Sequence, residues 1–138
     1  MSRSGYSEDW DDQWATIRYR GAVESSIRGR RGQAFLKEML AALDALPEKR
    51  LIADELQHGE AVCAIGAVGK ARGVSMEKLD PEDAERVAVK FNIATALARE
   101  IVYMNDEGSY GETPEQRFQR MRMWIANQIK VQKHDKEA

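Results

Sequence analysis

Cysteine occurs once (Cys63) and histidine twice (His58 and His134) in 138 residues. A Cys/His zinc site and a disulfide framework are therefore excluded, and no metal or cofactor is expected. Proline is confined to Pro47, Pro81 and Pro114, so long stretches are free to be helical. No apolar run approaches the roughly 20 residues of a membrane span. The start, MSRSGYSEDWDDQW, is acidic and has no signal-peptide apolar region, so no membrane partner is expected, and a lone reduced cysteine suits a cytosolic protein. Neither sign of charge dominates: 21 Lys and Arg stand against 23 Asp and Glu, a net charge of −2. That balance excludes a uniformly basic nucleic-acid binder and an extreme acidic DNA mimic. A chain of this length makes one domain with a modest core.

The near-neutral total hides segregated blocks. Arg18, Arg20, Arg28, Arg30, Arg31 and Lys37 face only Glu24 across residues 17–37, a local excess of +5. The first 14 residues are acidic (Glu8, Asp9, Asp11 and Asp12 against Arg3), as is the stretch 38–60. The tail from 113 is basic again, with Arg117, Arg120 and Arg122. A partner responds to the field within about 10 Å rather than to the total.

Apolar spacing predicts an all-α single domain over residues 1–132, a bundle of about five to seven helices, with the end from Lys133 frayed. The first helix starts from an N-cap at Ser7 and carries Trp10, Trp14 and Ile17 as its stripe. Phe35, Leu36, Met39, Leu40, Leu43 and Leu46 predict a helix over 33–46 stopped by Pro47. One short extended segment or helical turn fits near 50–56. Residues 60–72 read either as strand or as a small-residue helix ended by Gly73, and the helix is preferred because Ala and Gly form strands poorly. Asp80-Pro81 looks like the next helix start, and Asn92 like a left-handed stop. A second helix follows from Ile93 and breaks at Asn105-Asp106-Glu107-Gly108. Thr113-Pro114-Glu115-Gln116 is a capping box that opens a long final helix with Phe118, Met121, Ile125 and Ile129 inward and Trp124 beside them.

Several groupings have chemical potential. Cys63, with His58 five residues earlier, has the residue types of a thiol nucleophile and base, although its apolar neighbours suit a buried small hydrophobe. Gly66-Ala-Val-Gly69-Lys70 has two residues between its glycines and Ala71 after the lysine, so it cannot make a phosphate-binding Walker loop. Residues 80–104 have the core pattern of a helix-turn-helix, yet the second helix offers one arginine for phosphate. Arg18, Arg20, Arg28, Arg30 and Arg31, with Tyr19 among them, form the strongest anion-binding candidate. Arg117, Arg120 and Arg122 are a second basic set. The competing expectation is that acids of 1–14 and 38–60 neutralise these cations within the molecule or across a homo-oligomer. Tyr6, Trp10 and Trp14 read as core; exposed beside four acids, they would anchor a basic partner. The carboxylate pairs Glu8/Asp12, Glu82/Glu85 and Asp106/Glu107 are explained by caps or solvated faces.

Three stretches carry a resemblance. They are Glu60-Ala-Val-Cys63-Ala-Ile-Gly66-Ala67, the run Arg30 to Arg50, and Ile101-Val-Tyr-Met-Asn105-Asp106 followed by Thr113-Pro-Glu. Over about residues 15–128 the chain resembles small phage- and prophage-encoded proteins with a CxxGA box and a later ND motif. The resemblance implies a protein of the bacterial host cytoplasm that binds a host or phage macromolecule, as inhibitors of host defence such as anti-CRISPR proteins do. Cys63, Gly66, Asn105 and Asp106 are expected to be structural. The expected function is a non-enzymatic binding module whose arginine face meets a protein or nucleoprotein with an acidic surface. The alternatives are a helix-turn-helix regulator of duplex DNA built on residues 80–104, and a thiol enzyme at Cys63.

Overall fold

The computed structural model describes residues 13–108 and 110–137, with side chains described to residue 129. The expected N-cap at Ser7, and Tyr6 and Trp10, lie outside the described residues. Six helices and one small hairpin follow in order: α1 (Gln13–Arg28), α2 (Arg30–Ala45), β1 (Gln57–His58), β2 (Ala61–Val62), α3 (Ala64–Ala71), α4 (Ala84–Phe91), α5 (Thr95–Asp106) and α6 (Pro114–Glu137). The chain is all-α apart from that hairpin, in which Gln57 faces Val62 and His58 faces Ala61. The extended segment thus sits just after 50–56, because Gly59, at φ +61°, allows the tight reversal there. Residues 60–72 split between the two expectations, strand to Val62 and helix from Ala64.

Local chemistry sets most boundaries. Pro47 holds Leu46 extended (ψ 134°), and α2 ends there with Phe35, Leu36, Met39 and Leu43 buried along one face. Gly73, at φ +74°, ends α3, with its N–H on the Lys70 carbonyl. The start of α4 falls three residues later than Asp80 suggests. The Asp80 carboxylate instead accepts the Glu82 N–H at 2.9 Å, making a separate turn, and Asp83 caps the helix through the Arg86 N–H. Asn92 adopts the left-handed conformation (φ 57°, ψ 52°) between α4 and α5. Thr113 and Gln116 exchange side-chain-to-backbone bonds of 2.9 and 3.1 Å at the start of α6. No proline or glycine follows Pro114 in α6, and the helix runs past Lys133, where fraying was expected.

Helix α5 is the axis of the bundle: α1, α3, α4 and α6 all pack against it. It ends at Asp106 with Glu107 as its cap, within the Asn105–Gly108 break, and none of its twelve residues is exposed. Around it, Phe35 meets Phe91 edge to face at 6.1 Å. Above both rings lies the Arg72 guanidinium, held by Glu38 at 2.7 and 2.8 Å. Trp14 is not core. It is 72% exposed, because Tyr19, Val23 and Ile27, spaced four apart, form the buried face of α1 and put Trp14 and Ile17 on the opposite side.

Two helical glycines make contrasting predictions. A Cβ on Gly66 would fall 1.9 Å from the Leu56 carbonyl oxygen, whereas one on Gly21 would meet nothing within 4 Å. Gly66→Ala is expected to cost about 2–3 kcal/mol, since a backbone atom must move. Gly21→Ala is expected to add about 0.5–1 kcal/mol through helix propensity alone. Urea unfolding of the two variants checks both signs.

Candidate functional site

The second basic set is drawn into the fold by the end of α5. The last carbonyls of a helix have no partner within it, and here side chains of α6 supply them. Arg117 Nε donates to the Asn105 carbonyl at 3.1 Å, and its Nη1 reaches the Leu51 carbonyl at 3.1 Å. Arg120 donates to the Met104 and Asn105 carbonyls and forms a two-pronged pair with Glu112 at 2.7 and 3.0 Å. Glu112 also lies 3.4 Å from Arg117, its side chain only 6% exposed. Arg122, two residues further on, is paired with Asp44 of α2 at 2.7 and 3.0 Å. These three arginines therefore tie elements together and do not form a common anion face. Glu112, like Glu100 of α5, has no conspicuous mark in the sequence; its one cue is its place just before the capping box, five and eight residues from the two arginines.

Asn105 occupies the centre of this region and is 1% exposed. Its Oδ1 accepts the Ala64 N–H at 3.0 Å, at the first turn of α3, while its Nδ2 donates to the Ile52 carbonyl and to Asp106 Oδ1, each at 2.9 Å. Asp106 also accepts the Asp54 N–H at 3.1 Å, and Asp54 is held at φ +70°. Burial raises the Asp106 carboxyl above its ordinary value, against the opposing bonds from Asn105 and Asp54. Its contribution to stability thus falls as pH rises through that raised value.

Cys63 sits at the N-cap of α3 with Sγ 3.3 Å from the Gly66 N–H. It is 4% exposed, and burial pushes its thiol up to about 12. His58, 80% exposed by side chain, faces Glu55 at 3.1 Å. An enclosed thiol whose surroundings hold it protonated suits a structural cap on α3.

The first basic set divides in two. Tyr19 is 6% exposed and its hydroxyl points at Glu100 Oε1 (3.4 Å), while Arg20 pairs with Glu100 Oε2 at 3.2 Å. Glu100 is a buried acid of α5, so these two residues belong to the α1–α5 interface rather than to an anion surface. Arg18, Arg28, Arg30 and Arg31 are exposed. Arg31 touches the Asn92 side-chain oxygen at 3.4 Å, beside the α4–α5 turn. The acids of 38–60 go elsewhere: Glu38 to Arg72, Asp44 to Arg122, Glu48 to Arg50, Glu55 to His58 and Glu60 to Lys70. Among the described residues, Arg18, Arg28 and Arg30 have no ion pair. Four cations thus remain outward at and below the α1–α2 corner, where a Cβ on Gly32 would strike the Ser26 carbonyl. Helices α4 and α5 pack on each other across the turn at Asn92, but α5 has no exposed residue to lay in a groove. Among the described residues no helix is long and apolar enough to cross a membrane, and no group of three or more His, Cys, Asp or Glu could hold a metal ion.

The Arg120 hydrogen bond, foremost, holds the Glu112 carboxyl below its ordinary value. Its support for the fold is then complete above the carboxylate range and lost as pH falls through the lowered value. Glu112→Gln should reduce stability at neutral pH and flatten its decline on acidification, as read by urea unfolding across pH. For Cys63, a disulfide thiol reagent should fail to label the native protein at neutral pH and label it fully in denaturant. In comparison with known proteins, no family model matches the chain, and neither does any curated protein or solved structure.

Proposed function

We propose that this chain is a non-enzymatic binding module that works through the α1–α2 corner on the acidic surface of a protein or nucleoprotein. The observation that carries this reading is selective pairing. Arg20, Arg50, Arg72, Arg86, Arg117, Arg120 and Arg122 each face a carboxylate of the same chain. Arg18, Arg28 and Arg30 do not, among the described residues; all three are exposed, and they lie within 13 residues of one another along α1 and the start of α2. Arginine carries its charge at any physiological pH and presents a planar fork to carboxylate or phosphate, so an exposed cluster of this kind is suited to an anionic partner.

The resemblance of the Cys63–Ala67, Arg30–Arg50 and Asn105–Asp106 stretches to phage and prophage proteins extends the proposal to a setting. The partner is a host or phage macromolecule of the bacterial cytoplasm, and inhibition of a host defence system is one role that such binding serves. Regulation of duplex DNA by α4–α5 is the weaker reading, since the helix that would read bases is the buried axis of the fold.

Replacing Arg28, Arg30 and Arg31 together by Glu should leave the far-ultraviolet dichroism unchanged and abolish retention on immobilised heparin, used as a generic polyanion. Retention equal to that of the native protein would overturn the proposal.

A further inference from the structure

Helix α1 presents two opposite faces. Tyr19, Val23 and Ile27 are buried. On the other side, Trp14, Ile17, Arg18, Gly21, Ser25 and Arg28 follow one another at three- and four-residue steps, and all are exposed. They form one strip about 21 Å long at 1.5 Å per residue. Trp14 is 72% and Ile17 59% exposed, side by side at one end. Arg28 is at the other end, next to Arg30 and Arg31 across the corner. Gly21 lies between, with open space where its side chain would be. A glycine in mid-helix weakens the helix, and nothing inside this fold uses its smallness.

We infer that this outer strip of α1 is the docking surface for an acidic amphipathic helix of a partner protein. The inference rests on the reading of the arginine corner as a partner surface and specifies what occupies it. Charge complementarity selects acidic side chains opposite Arg18, Arg28 and Arg30. Trp14 and Ile17 require apolar side chains on the same partner, and an aliphatic residue such as Ile17 contributes nothing to a phosphate track. Tryptophan and arginine together are the residue types that dominate protein interfaces. The bare backbone at Gly21 leaves a low point into which a ridge of another helix fits.

The test uses the full chain and calorimetric titration with three probes. One is a helix-stabilised peptide of about 18 residues with Leu at three- and four-residue steps and Glu on its flanks. The others are polyglutamate and single-stranded DNA. The peptide should bind more tightly than polyglutamate of equal charge. Gly21→Leu has room in the free protein, so it should fold as the native chain does by circular dichroism. It should weaken the peptide about tenfold or more and leave polyglutamate within about twofold. Trp14→Ser with Ile17→Ser should do the same. Unchanged peptide affinity in Gly21→Leu, a peptide no tighter than polyglutamate, or DNA binding tighter than the peptide would each overturn the inference. If the triple arginine reversal leaves every probe bound, the arginine corner itself fails as a partner surface, which is a separate result.

Discussion

A helix that ends packed against its neighbours needs partners for its last carbonyl oxygens, and α5 ends in this way, with Asn105 buried beside them. The Met104 and Asn105 carbonyls are met by the guanidinium groups of Arg117 and Arg120 from α6. Those two charges are in turn met by Glu112. On the side-chain level Asn105 does a parallel task, joining the start of α3 to the loop at Ile52. A buried amide is tolerable only when both its ends are bonded, and here they are. Three stretches of the chain, around residues 51–54, 64 and 112–120, are thereby fixed to the end of one helix.

This constraint also sorts the arginines. Those of α6 are recruited by the last carbonyls of α5 and by Glu112 or Asp44, so their positive charge is balanced within the molecule. Arg20 is recruited by Glu100, an acid on the axial helix. The arginines of the α1–α2 corner have no such demand on them. The corner is the one place where the basic window read from the sequence reaches solvent as a group, and the apolar pair Trp14 and Ile17 lies on the same helix.

Much of the architecture was legible because it depends on neighbours in the chain. Pro47, Asn92, Gly73 and the Thr113–Gln116 box act within a turn, and each marks its boundary in the structure. The inward positions of α2 and α6 follow from a 3.6-residue period that only one face can satisfy. Where two local signals competed, the sequence was ambiguous: Asp80 and Asp83 both suit a helix cap, and Asp80 instead closes a turn on Glu82. For α1 the period was readable but the phase was not. Trp14 and Ile17 begin as good a stripe as Tyr19, Val23 and Ile27, and the inward face is decided by Glu100 and the apolar surface of α5.

By itself, then, the sequence determined the helical class, the main boundaries, the absence of Cys/His metal chemistry and the existence of a concentrated basic window. Tertiary structure decided which charges within the windows are available. It paired Arg117 and Arg120 with Glu112, Arg122 with Asp44, and Arg20 with Glu100, and it enclosed Cys63 as a cap on α3. The physical reason is separation along the chain: an ion pair spanning 80 residues, such as Arg20 with Glu100, leaves no local trace in the residues that make it.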